Sequence, residues 1–233
     1  MKVVLLAGGF GTRLSEYTKT IPKPMIKVGG EPMLLHIMKL YAKYGYKDFY
    51  IALGYRGKII RNFFKKNFFD WNINLIETGN KTMTGGRLKR LKKYIGNETF
   101  MMTYGDGLSN INLKKLLKFH KKNKKILTLT AVRPPARFGA LKLKGQRVSY
   151  FKEKSRLDEG WINGGFFVIE PEFFKFIKND STYLEREPLE KLTRKKQLAA
   201  FRHEGFWQCM DTKRDKDKLD KILNSKKKFN FDF

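Results

Sequence analysis

A chain of 233 residues with 50 Lys and Arg against 22 Asp and Glu carries a formal charge of +28, and 41% of it is hydrophobic and 14% aromatic. That apolar content excludes a disordered tail protein and suffices for a packed core. No apolar run approaches the roughly 20 residues of a membrane span, which excludes a transmembrane helix.

Along the first half, short β-type runs alternate with helical periodicity, the pattern of a mostly parallel α/β sheet. Residues 3–7 (VVLLA) read as a buried strand, too short for the apolar core of a secretion signal. Residues 31–44 predict a helix with Pro32 in its first turn and Leu34, Leu35, Ile37, Met38 and Tyr41 on one face. Strands at 49–53, 74–78, 100–104 and 127–132 alternate with helices at 58–66, 85–94 and 113–123. The pattern then changes. Residues 140–154 predict a hairpin turning at Gly145-Gln146. A strand at 163–169, helices at 171–177 and 189–196, a strand at 198–203 and a closing helix at 213–223 complete the chain. Together they predict one mixed α/β domain, with residues 1–132 forming the mostly parallel half and 133–233 completing the sheet.

The first strand runs straight into Gly8-Gly9-Phe10-Gly11-Thr12-Arg13. Three glycines let the backbone turn tightly with N–H groups outward, a cradle for phosphate oxygens. Arg13 adds a cation, and Lys23 adds another on backbone stiffened by Pro22 and Pro24. The set suits a triphosphate and its departing pyrophosphate. Neither the P-loop spacing GxxxxGK[ST] nor the dinucleotide pattern GxGxxG occurs here.

Acidic residues are few, so their placement is informative. Asp106 directly follows a buried strand, where the ligands of an open α/β sheet collect. It is a candidate Mg²⁺ ligand, because Mg²⁺ takes one or two carboxylates plus substrate phosphates. The other reading is a helix N-cap, although the next helix begins near Asn112, itself a capping residue. Asp211, in GFWQCMDT, is the second candidate ligand and can also cap the closing helix, whereas Asp215 and Asp217 read as helix-surface charges. Gly139 and the Asn163-Gly164-Gly165 stretch are strand ends open to close approach by a ligand. Glu153 and Lys154 either reach a sugar phosphate or form an exposed charge pair. His36, His120 and His203 lack metal-ligand spacing and are expected to be non-catalytic. The single cysteine, Cys209, reads as a half-buried structural thiol in a reducing cytoplasm. No Ser–His–Asp or Cys–His arrangement assembles. Only 13 of the 50 basic residues are Arg, and no nucleic-acid motif accompanies the lysines. No nucleic-acid partner is therefore expected, but the field attracts anionic small molecules.

With these residues in place, the chain resembles the sugar-1-phosphate nucleotidylyltransferases. The shared pattern is LAGGxGTRL followed by KPM, here residues 6–14 and Lys23-Pro24-Met25. MTGGRL at 83–88, TYGDG at 103–107, RFGAL at 137–141, NGGFF at 163–167, GFWQ at 205–208 and MDT at 210–212 resemble the cytidylyl branch. The resemblance spans nearly the whole chain. The stretch between Phe69 and Leu75 is shorter than the family pattern. Glu153-Lys154-Ser155 stands for Glu-Lys-Pro, and LEREPL at 184–189 for Trp-Glu-Gln-Glu-Pro-Leu.

What this implies is a three-layer, Rossmann-like mixed sheet of the nucleotidyltransferase (glycosyltransferase-A-like) type. The nucleotide would lie over Leu6, Ala7, Gly8, Gly9, Gly11, Thr12 and Arg13, with Thr82, Gly85, Arg87 and Gly105 also at nucleotide-binding positions. Arg13 and Lys23 would be the catalytic cations. Gly139, Glu153, Lys154 and Asn163 would bind the sugar phosphate, and Asp106 and Asp211 would hold Mg²⁺. The Gly85-Gly86 turn would bring backbone against the base, with Arg87 donating to its other edge or to phosphate. The implied reaction joins CTP to α-D-glucose 1-phosphate, giving CDP-glucose and pyrophosphate in a homo-oligomer. The alternative is another sugar 1-phosphate, a related phosphate, or another nucleoside triphosphate.

Overall fold

Val3, Val4, Leu5 and Leu6 are all buried, so successive side chains on both faces of the first strand, β1 (Lys2–Leu6), are covered. A strand of that kind belongs in the middle of a sheet. The computed structural model describes residues 1–134, 139–153 and 160–225. Lys154, Arg137 and Phe138 lie outside the described residues.

After β1 the chain passes a 3₁₀ turn at Thr12–Leu14, the short helix α1 (Ser15–Thr18) and a second 3₁₀ turn at Lys23–Met25. A two-residue hairpin follows, β2 (Lys27–Val28) and β3 (Glu31–Pro32), turning at Gly29-Gly30 with φ of 57° and 88°. Pro32, expected inside a helix, therefore ends this hairpin, and α2 (Met33–Lys43) begins at the next residue. The predicted alternation then appears as β4 (Asp48–Leu53), α3 (Gly57–Lys66), β5 (Asn72–Glu77), α4 (Thr84–Ile95) and β6 (Phe100–Tyr104). A three-residue strand, β7 (Gly107–Ser109), precedes α5 (Leu113–Asn123) and β8 (Leu127–Val132). The hairpin at Gly145-Gln146 is present as β9 (Ala140–Lys144) and β10 (Arg147–Lys152). Next come β11 (Ile162–Ile169), a 3₁₀ stretch at Pro171–Phe176 and α6 (Glu187–Arg194), which starts two residues early because Pro188 sits in its first turn. The chain continues with β12 (Leu198–His203), β13 (Trp207–Cys209) and α7 (Lys213–Asn224).

Seven strands form one sheet in the order β12-β8-β11-β6-β1-β4-β5. Only β11 opposes its neighbours, β6 and β8; every other pairing in this sheet is parallel. Strands from the second half thus sit within the sheet. Leu34, Ile37 and Tyr41 of α2, Leu116 of α5 and Leu219 of α7 pack one face. Leu88 and Leu91 of α4, Phe173, and Leu192 of α6 pack the other, giving three layers. β1 lies between β6 and β4, and the chain leaves it toward β4 but later returns on its other side. That reversal of strand order leaves a crevice beyond the carboxyl ends of β1 and β6. No helix among the described residues is long and apolar enough to cross a membrane.

Candidate active site

The crevice is a cleft of about 780 Å³. Its floor begins where β1 ends. The Gly8 carbonyl accepts from the Tyr55 N–H at 3.1 Å and from Arg87 Nη2 at 2.8 Å. The Gly11 carbonyl accepts from the Leu14 N–H at 3.0 Å and from Thr18 Oγ1 at 3.1 Å. In a planar trans peptide the following N–H points opposite to the carbonyl. With both carbonyls held by the protein, the Gly9 and Thr12 N–H groups point the other way, and both residues line the cleft. The predicted backbone cradle therefore has a mechanical basis.

Arg87 supplies that basis. The residue is 4% exposed, and its two terminal nitrogens donate to Gly8, Gly79, Asn80 and Leu53 carbonyls and to Thr78 Oγ1. A Cβ at Gly8 would stand 2.2 Å from Arg87 Nη1, and one at Gly54 2.4 Å, so the guanidinium fills the space those glycines leave. The sequence reading had Arg87 donating to a base edge or phosphate. Those nitrogens bind the loop while Arg87 also lines the cleft, and burial lowers the Arg87 pKa, with the nearby Arg90 charge adding to the effect. Arg87→Ala is expected to cost roughly 3 kcal/mol by emptying the space the side chain fills and taking its donors from the Gly79 and Asn80 carbonyls. That corresponds to about 6–12 °C in Tm for a chain of this size. Differential scanning calorimetry that finds Tm unchanged would remove Arg87 from this role.

Gly85 and Gly86 stand apart from the cleft. They lie in the first turn of α4, donate their N–H groups to the Thr182 carbonyl, and do not line the cleft. A Cβ on Gly86 would meet the Asp180 carbonyl at 2.4 Å, so the pair of glycines serves helix–loop packing.

The opposite wall is built by β6, β7 and β13. β7 pairs antiparallel with β13 in the register Gly107↔Cys209, and the Met210 N–H bonds to the Asp106 carbonyl at 2.9 Å. This pairing sets Asp211 beside Asp106. Lys23, held after Pro22 in a 3₁₀ turn and only 7% exposed, bridges them. Its Nζ is 2.6 Å from Asp106 Oδ2 and 2.6 Å from Asp211 Oδ1, while Arg13 Nη1 lies 2.6 Å from Asp211 Oδ2. Burial alone would lower the Lys23 pKa, but the two carboxylates outweigh it and raise it. Burial likewise opposes ionised Asp211, yet Lys23 and Arg13 prevail and its pKa is lowered. The sign follows from each shift. The Lys23 contribution to stability holds below its ordinary pKa of 10.5 and is lost as pH rises through the raised value. That of Asp211 holds above 3.8 and is lost as pH falls through the lowered one. Lys23 and Asp211 therefore both stay charged across the neutral range.

Asp211 does not cap the closing helix. Thr212 is the N-cap of α7, and Asp215 closes a capping box with it. Asp215, expected on the surface, is consequently 7% exposed, and the Asp211 carboxylate is left for the cations. Asn112 caps α5, as anticipated, through a bond from the Lys115 N–H. The carboxylate pair fits a hard divalent ion, since one oxygen from each already flanks a cation, and Asp106 and Asp211 could hold Mg²⁺. No cluster of three or more potential ligands exists among the described residues, so a metal would depend on these two. Cys209 lines the cleft with Sγ 3.7 Å from Asp211, and burial, then Asp211, pushes its pKa up to about 12. It remains a protonated thiol.

Leu6, Ala7, Gly8, Gly9, Gly11, Thr12, Thr82, Arg87, Gly105 and Asn163 line the cleft, as do Arg13, Lys23, Asp106 and Asp211. Gly139 and Glu153 do not; they sit by the β9–β10 hairpin, where a Cβ on Gly139 would meet Phe151 and Glu153. No histidine lines it. His120 is buried between Thr128 and Glu170, and His203 contacts Ser109. The sequence reading missed Tyr104, Thr84 and Glu185, which line the wall beside Asn163.

The nucleotidyl transferase family matches residues 2–212. The chain is 46% identical to glucose-1-phosphate cytidylyltransferase of Salmonella typhimurium, over 93% of each protein. It is 32% identical to mannose-1-phosphate guanyltransferase of Saccharomyces cerevisiae, over 94% of this chain and 63% of that one. Among solved structures, HddC from Yersinia pseudotuberculosis complexed with GMP-PN has a TM-score of 0.76 at 26% identity, covering 95% of this chain and 99% of that one.

Proposed function

The chain belongs to the nucleotidyl transferase family, and from that premise we propose that it joins CTP to α-D-glucose 1-phosphate, forming CDP-glucose and pyrophosphate. The observation that carries the reading is the Lys23–Asp106–Asp211–Arg13 cluster at the mouth of a glycine cradle. The likeness to the Salmonella cytidylyltransferase supports the choice of substrates.

In this reaction a phosphate oxygen of the sugar phosphate attacks the α-phosphorus of CTP. The bond from that phosphorus to the β-phosphate oxygen breaks, and pyrophosphate leaves on the opposite side. The nucleophile is already an anion, so no general base is required, consistent with a cleft lined by no histidine. The chain's contribution is to position the two phosphates and to spread their charge. The Gly9 and Thr12 N–H groups cradle the triphosphate. Arg13 and Lys23 turn from the carboxylates to phosphate oxygens. Asp106 and Asp211 would hold Mg²⁺, which would supply charge neutralisation on the reacting phosphates.

Cytosine presents an amino donor where uracil presents a carbonyl, so a selective site needs an acceptor at that edge. With Gly85 and Gly86 turned toward residues 180–182, the nucleotide wall is made by Asn80, Thr82 and Met83. A hydrogen-bonded site of this kind rejects the wrong base strongly. CTP is expected to exceed UTP in kcat/KM by about two orders of magnitude. Steady-state rates within threefold for the two would leave the transfer chemistry standing and end the cytidylyl assignment. A second copy of the chain is the proposed protein partner. Leu141, Leu143, Val148 and Phe151 share one face of the β9–β10 hairpin and are each half or more exposed, which supports an assembly that sedimentation velocity would detect.

A further inference from the structure

Among the described residues, three carboxylates line the cleft, and two of them are neutralised by Lys23 and Arg13. Glu185 is the third. It makes no ion pair among the described residues, in a chain with 50 basic side chains. It is nevertheless fixed in place. Tyr104 Oη donates to Glu185 Oε1 at 2.6 Å, and Thr84 Oγ1 donates to Oε2 at 2.7 Å. The Thr84 hydroxyl in turn accepts from the Leu184 N–H at 2.9 Å, so its own hydrogen is committed to Glu185. Each carboxylate oxygen receives one donor and retains lone-pair capacity toward the cleft.

An unneutralised carboxylate repels phosphate, so it weakens a phosphate-binding cleft unless it meets neutral donors. Hydroxyl groups are such donors, and a carboxylate with both oxygens oriented suits a pair of them on adjacent ring carbons. The hydrogen-bond chain also gives direction. Asn163 Nδ2 reaches Tyr104 Oη at 3.5 Å, and Tyr104 reaches Glu185, so the three line one wall that starts at β11 rather than at the glycine loop. We propose that Glu185, oriented by Tyr104 and Thr84, accepts hydrogen bonds from ring hydroxyls of the hexose and so determines which hexose 1-phosphate is used. The inference rests on the reading of the cleft as a sugar-phosphate nucleotidylyltransferase site.

The test measures kcat and KM for each substrate in Glu185→Ala and Tyr104→Phe, with the CTP dissociation constant measured separately by calorimetry. Loss of hydrogen bonds to a charged acceptor predicts a KM for glucose 1-phosphate raised about 10- to 100-fold in Glu185→Ala, and by less in Tyr104→Phe. KM and the dissociation constant for CTP stay within twofold. In the wild type, at least one monodeoxy glucose 1-phosphate is used about tenfold less well, and Glu185→Ala abolishes that difference. An active wild type whose Glu185→Ala variant keeps its hexose KM, or loses CTP affinity instead, overturns this inference alone. A wild type that makes no product from any hexose 1-phosphate overturns the parent reading and this one with it.

Discussion

Replacing Lys23 with alanine is expected to lower kcat by about 10²–10³-fold, the usual effect of losing one charge-stabilising donor at a reacting phosphate or oxyanion. Lys23 is the cation least available to solvent in the cluster, with its side chain 9% exposed against 70% for Arg13. Its backbone is fixed by the flanking prolines, so no neighbouring lysine can take its place. Lys19→Ala is the matched control, an exposed charge a few residues away whose side chain is not part of the cleft. A general positive field would make the two variants equal. The account requires them to differ by at least an order of magnitude at saturating substrates. A second signature follows from the geometry, since Lys23 is the group that bridges Asp106 and Asp211. Without it the two carboxylates repel each other, and Mn²⁺ affinity of the free protein, read by electron paramagnetic resonance, should rise as catalysis falls.

Asp106→Asn and Asp211→Asn are each expected to reduce turnover by about 10²–10⁴-fold, because either change leaves a single carboxylate for the ion. Both positions had a competing structural reading as helix caps, and the structure separates the two. Asn112 caps α5, and Thr212 with Asp215 caps α7. Neither aspartate substitution therefore removes a cap, and Tm should remain within a few degrees of the wild type. Thr212→Ala should show the reverse, a loss of about 1 kcal/mol in stability with turnover retained. An Asp211→Asn variant that unfolds early yet turns over normally at low Mg²⁺ would return that residue to a structural role.

The parallel half of the sheet was readable because its strands are short apolar runs separated by helices with a clear 3.6-residue period. β6, β8, β12 and α5 fall where the pattern puts them. The elements that assemble the site were less visible. β7 and β13 have three residues each, too few for alternation to register, yet their pairing brings Asp211 to Asp106. The β2–β3 hairpin was announced by Gly29-Gly30, but the helical run after Pro32 masked it. In the site, glycines and prolines marked the loop and the Lys23 turn, both of which line the cleft, so these positions were legible. The hold of Arg87 on the loop was not legible, because a residue type alone does not reveal where five acceptors converge. Glu185 was overlooked for a related reason: its orientation depends on Tyr104 and Thr84, which are 81 and 101 positions away in the chain.

The most direct test is ³¹P NMR of the purified protein with CTP, glucose 1-phosphate and Mg²⁺. The account predicts that CDP-glucose and pyrophosphate accumulate in equal amounts, and that both disappear in Lys23→Ala over the same period. Release of inorganic phosphate in place of pyrophosphate, or loss of CTP with glucose 1-phosphate untouched, would contradict it.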